Sequence, residues 1–111
     1  MSKKVEVPIK VMNALDATAN QSYTWKNAQY VDNVGISVTF TGTPSGTLTI
    51  QGSVDGIDFV TLPNTSTTIS AAGTTLFDLN QLSFPFVQIN WAESGGSVSP
   101  TITAWLTAKN V

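Results

Sequence analysis

Histidine and cysteine are both missing from these 111 residues. Without imidazole or thiol the chain cannot assemble Ser-His-Asp or Cys-His catalytic groups, thiolate or imidazole metal ligation, or a disulfide framework. Arginine is missing too, so the five cationic side chains are all lysine, and the net charge is −2. Phosphate backbones are gripped by clustered arginine and lysine, so this balance argues against nucleic acid as a partner. Charged residues make up 11% of the chain, against about a quarter in ordinary soluble domains. The surface must therefore be covered by Thr, Ser, Asn and Gln, or by other protein. No apolar run approaches the roughly 18 to 20 residues that span a bilayer, and the start MSKKVEVPIKV has no apolar signal core. The expectation is a chain made in a cytoplasm without a signal peptide and without a membrane anchor. Helix is scarce as well: only residues 13–21, NALDATANQ, tolerate one, and a loop or single turn is expected there.

Alternation of apolar and polar residues is abundant. In residues 47–62, TLTIQGSVDGIDFVTL, Leu48, Ile50 and Gly52 alternate with Thr47, Thr49, Gln51 and Ser53, the period of a strand with one buried face. Asp55-Gly56 reads as a two-residue type I′ turn, which sets Val54 against Ile57, Ser53 against Asp58 and Gly52 against Phe59. On that pairing Phe59 fills the space above Gly52 and belongs to the core. Val34, Ile36, Val38 and Phe40 form the cleanest buried stripe, and Val87, Ile89 and Trp91 another, so Phe40, Ile50, Ile89 and Trp91 are expected core residues. Tyr23 and Trp25 share one face of a short strand, and residues 74–79, 84–91 and 100–108 supply further strands, with turns at Asn80-Gln81 and 94–97.

About eight strands spaced by turns predict an all-β fold: a single antiparallel β-sandwich, jelly-roll-like. The length suits one domain, residues 21–111, preceded by an N-terminal arm or edge strand, residues 1–20. In that arm Val5, Val7, Ile9 and Val11 alternate with Lys4, Glu6, Pro8, Lys10 and Met12, and Pro8, lacking an amide donor, favours an edge or a peripheral position.

The run Gly46-Thr47-Leu48-Thr49-Ile50-Gln51-Gly52-Ser53-x-Asp55-Gly56-x-x-Phe59 resembles the repeated pattern of small β-sandwich virion structural proteins of bacteriophages, the head decoration and fibre-like proteins. The resemblance spans residues 21–109. Residues 34–42 (VGISVTFTG) match a strand ending in an aromatic-Thr-Gly step, and residues 68–73 (TISAAG) match the connection after the hairpin. Residues 86–91 with 93–96 resemble the penultimate strand and its turn, and residues 101–109 the last strand. The family commonly places an Arg in the penultimate strand, where this chain has Gln88. The resemblance implies a virion component assembled in a host cytoplasm, and it leaves the place on the particle open.

The residues that carry charge support little chemistry. Asp55, Asp58, Asp78 and Glu93 are the carboxylates from which an acid/base pair could be drawn, but such pairs need a cleft that a small sandwich rarely has. Asp55-Gly56-Ile57-Asp58 has the hard oxygens calcium prefers, but it lacks further ligand spacing, so the tight-turn reading is taken and no metal or cofactor is assigned.

Trp105 is the anomaly. On the last strand Ile102, Ala104, Leu106 and Ala108 share one face, which puts Trp105 on the other with Thr101, Thr103, Thr107 and Lys109. Either this strand is central and its second face covered, making Trp105 ordinary core, or Trp105 with Thr103 and Thr107 anchors an interface between chains. Three functions are compatible with these features. A non-enzymatic capsid decoration or cement protein would bind the major capsid protein or another virion protein as a homo-oligomer, dimer or trimer. A fibre, spike or tail-associated adhesin would present the same sandwich to a receptor or surface glycan. A carbohydrate-binding module would stack sugar on Trp105, Trp25 or Tyr30.

Overall fold

The long strands of the core form where β-branched and aromatic residues recur at every second position, because only an extended chain places all of them on one buried face. The computed structural model describes residues 9–26, 33–79 and 84–109. Nine strands run through them: β1 (Ile9–Asp16), β2 (Gln21–Trp25), β3 (Asn33–Thr43), β4 (Gly46–Ser53), β5 (Val60–Thr61), β6 (Thr67–Ile69), β7 (Gly73–Leu79), β8 (Phe86–Glu93) and β9 (Ser97–Lys109). The described residues contain no helix; residues 13–21 end β1, turn, and begin β2.

Two antiparallel sheets result, sheet A in the order β1-β9-β3-β7 and sheet B in the order β2-β8-β4-β5, with β6 also on β4. The pairs β1 with β9, β2 with β8, β3 with β7, and β4 with β5 and β6 nest one inside the next. A single antiparallel ribbon has this nesting, and rolling it until β3 meets β9 and β4 meets β8 closes both sheets. This is the jelly-roll form of the β-sandwich expected from the alternation. The described residues hold nine strands where about eight are expected, the partner of β4 being split into β5 and β6.

The sheets bury Val34, Ile36, Val38 and Phe40 of β3, Leu48 and Ile50 of β4, Val87, Ile89 and Trp91 of β8, and Ile102, Ala104, Leu106 and Ala108 of β9. Trp91 is fully buried, its ring 4.7 Å from that of Phe40, and its Nε1 donates to the Ala17 carbonyl at 2.9 Å. That bond ties the β1–β2 turn to the core while satisfying the indole N–H.

The strand β1 departs from its simple alternation. Its register on β9 slips twice, between Lys10 and Met12 and between Met12 and Leu15, and Ala14 has a positive φ of 50°. Each bulge inserts one residue and resets the facing of the residues beyond it. Met12 is therefore the fully buried residue, Val11 and Leu15 pack partly buried against the core, and Ile9 is half exposed, so of the expected stripe Val11 keeps its contact with the core and Ile9 does not. The rest of the expected arm, including Val5, Val7 and Pro8, lies outside the described residues, as do Tyr30 and the Asn80-Gln81 turn.

The hairpin also differs from expectation. Gly52 pairs with Val60 and Gln51 with Thr61, so residues 54–59 form a six-residue loop instead of a two-residue turn. Only Gly56 in this loop has a positive φ, 78°, which excludes the type I′ geometry. The Asp55 carboxylate closes the loop, accepting from the amides of Ile57 at 2.9 Å and Asp58 at 3.0 Å and from the Ser53 hydroxyl at 2.9 Å. Phe59 is in consequence half-buried and is not part of the buried core, a correction to the expected pairing. The ring above Gly52 is that of Phe84: a Cβ on Gly52 would stand 2.5 Å from it.

Candidate interaction surface

The two outward faces of the sandwich differ in chemistry. On sheet B, Ser22, Thr24, Gln88, Asn90, Thr47, Thr49 and Gln51 point away from the core, and several bond to one another: Gln88 Nε2 donates to Thr24 Oγ1 at 3.0 Å and Gln51 Nε2 to Thr61 Oγ1 at 3.5 Å. Gln88 belongs to this polar face.

On sheet A the outward face divides in two. One half is a hydroxyl ladder, with Thr39 Oγ1 and Thr74 Oγ1 2.9 Å apart, Thr41 Oγ1 and Thr101 Oγ1 2.6 Å apart, and Thr103 Oγ1 accepting from the Ala14 amide at 3.0 Å. The other half is a row that crosses all four strands: Lys10 pairs with Trp105, Trp105 with Ser37, and Ser37 with Leu76. Trp105 is 40% exposed and Leu76 74% exposed. Between them stands only the small Ser37, two strand spacings separating the large side chains by about 10 Å. The Lys10 ammonium lies 5.0 Å from the centre of the Trp105 ring, a cation–π contact that steadies the indole.

Trp105 is thus not ordinary core, even though β9 is a central strand. Thr103 and Thr107 flank it on the same face, Thr107 pairing with Gly35, which in turn pairs with Asp78. Leu76 was not legible in the sequence as a surface residue, because on residues 73–79 the apolar face cannot be told from the polar one without knowing β3 as the neighbour. Of the expected sugar-stacking residues, Trp25 is 8% exposed and offers no platform.

A second apolar group lies at one end of sheet B, where Val54, Ile57 and Val60 are well exposed. An open depression of about 450 Å³ adjoins it, lined by Gly52, Ser53, Asp55, Asp58, Leu62 and Phe84. The hydrogen bonds from the Asp58 and Ile57 amides and the Ser53 hydroxyl hold the Asp55 carboxyl down at about 2. Its Oδ1 is therefore committed to closing the loop. Among the described residues no three carboxylates gather into a metal site.

The sequence matches no protein-family model and no curated protein sequence. The fold does match solved structures. The SPBc2 prophage-derived protein YomS aligns over 99% of this chain and 96% of its own, with TM-score 0.71 and 8% identity. The PBSX exported protein XepA aligns over 92% of this chain and 36% of its own, with TM-score 0.65 and 18% identity. The coat protein of Tobacco streak virus aligns over 98% of this chain and 85% of its own, with TM-score 0.59 and 12% identity. At such identities the likeness is one of fold.

Proposed function

We propose that this chain is a non-enzymatic structural component of a bacteriophage virion, a decoration or cement protein that binds the outer head surface through the outward face of sheet A. The observation that carries this reading is the Trp105–Ser37–Leu76 row, two large apolar side chains exposed on an outward face whose other residues are mostly threonine and other small or polar ones. Aromatic anchors set among small polar residues are what protein interfaces use, and such a surface requires no catalytic group. Whole-chain likeness to a prophage-derived protein and to a virus coat protein supports the same habitat. The partner is then the major capsid protein or another virion protein.

Decoration works by mass action. Each bound copy stabilises only the assembled shell, so many weak contacts add up. Purified protein added to undecorated heads is expected to bind in hundreds of copies and to raise their resistance to heat. Binding to host cells or polysaccharide with no binding to heads would replace this reading with the fibre or tail adhesin, and a few copies per particle would do the same.

A further inference from the structure

A sandwich has four sheet edges, and in this molecule three of them are blunted. The edge strand β1 carries two bulges and a positive-φ Ala14. At the edge of sheet B, β5 and β6 are short pieces separated by residues 62–66, and the opposite edge strand β2 has five residues. Interruption and shortness are the usual means of keeping edges from pairing. The fourth edge, β7, has neither. Its seven residues pair with β3 from Gly73 to Leu79 without a register shift, and among the described residues nothing pairs on its other side. It contains no Pro and no Lys, and its one charge is Asp78.

We propose that β7 is the strand through which two copies of this chain pair, antiparallel about a two-fold axis at Leu76. Three observations select a second copy as the occupant. Leu76 is the midpoint of Gly73–Leu79, so pairing it with Leu76 of the second copy lets all seven residues find partners. In that register Thr74 stands opposite Asp78 of the second copy, a hydroxyl donor facing a carboxylate, and the two Asp78 side chains stay apart on either side of the axis. Gly73, where an added Cβ would meet nothing within 4 Å, stands opposite Leu79 and leaves room for it. An open chain of copies running from β7 to β1 is disfavoured by the bulges of β1, so the pairing closes as an isologous dimer.

The register also keeps like faces together, since outward residues lie opposite outward residues. The two four-stranded A sheets become one eight-stranded sheet. Across it the rows join as Trp105, Ser37, Leu76, Leu76, Ser37, Trp105, one continuous apolar band in place of two small patches. The dimer needs no virion partner, so its test is separate from that of head binding.

Leu76 is mostly exposed in the single chain, so charged substitutions there leave the core untouched. Wild-type protein in analytical ultracentrifugation is expected to sediment at twice its 11.8 kDa mass, with L76K and L76E each monomeric and an equimolar mixture of the two dimeric again. Amide exchange in β7 is expected to slow as wild-type concentration rises, and not to do so in L76K. A wild type that stays monomeric up to about 0.1 mM, where even weak association registers, overturns the proposal. So does a dimer that survives L76K, or a mixture of the charged variants that fails to pair.

Discussion

Phe84 covers Gly52: the ring stands where a Cβ would be, its nearest atom 2.5 Å from that position. A strand position that reads as a small gap in the alternation is thus a seat for an aromatic ring arriving from beyond β7, not from the loop next door. Gly52→Ala is expected to overpack this seat and destabilise by about 1–3 kcal/mol. Phe84→Ala is expected to cost more than Phe59→Ala, since Phe84 packs against the core and Phe59 does not. Urea melts of the three variants, ranked by midpoint at constant slope, check the order; a larger loss for Phe59→Ala would restore the tight-hairpin pairing.

Thr65 is buried in the gap between β5 and β6, where its hydroxyl takes the place of a missing rung on β4. The Ile50 amide donates to Thr65 Oγ1 at 3.2 Å, and that hydroxyl reaches the carbonyls of Leu62 at 2.8 Å and Ile50 at 3.1 Å. Thr65→Val keeps the shape and removes the partner, leaving a buried N–H unmatched. The expected loss is about 1–3 kcal/mol, with Thr65→Ser close to wild type. Equal stabilities for the Val and Ser variants in chemical denaturation would count against this role.

Acid tests the Asp55 loop. The carboxyl is held at about 2 in the folded chain, below its ordinary 3.8. A depressed folded value contributes stability that is present above the unfolded value and is lost as pH falls through the folded one. Asp16, lowered first by the Thr18 hydroxyl and then by the Thr18 amide, acts with the same sign. The melting temperature of wild type should therefore decline between pH 3.8 and about 2. In Asp55→Ala the neutral-pH value should be lower and the acid decline shallower; parallel curves would remove Asp55 from the account.

Trp105 differs from the other two tryptophans in being reachable by solvent, with Trp25 and Trp91 at 8% and 0% exposure. Acrylamide is expected to quench mainly its emission, and Trp105→Ser to abolish that quenchable fraction while leaving the far-ultraviolet circular dichroism of the β-sandwich unchanged. On undecorated heads the same variant should bind at least tenfold more weakly, as for loss of an interface anchor worth about 1.4 kcal/mol or more. Undiminished binding would move the contact surface off sheet A.

The alternation of Val34 to Phe40, Leu48 to Ile50, Val87 to Trp91 and Ile102 to Ala108 by itself determined that the chain is all β, which residues face inward, and that Trp105 faces the other way. Facing is a local property, because successive side chains of an extended backbone point to opposite sides whatever lies next to them. What each residue stands beside is not local. Only the rolled ribbon decided that Ser37 separates Trp105 from Leu76, that Phe84 rather than Phe59 sits over Gly52, and that two bulges turn Met12 inward. Only it left β7 as the longest edge strand paired without a register shift among the described residues. These relations arise between strands far apart in sequence, set by register and by the packing of one sheet against the other, and neither is encoded in any single stretch of the chain.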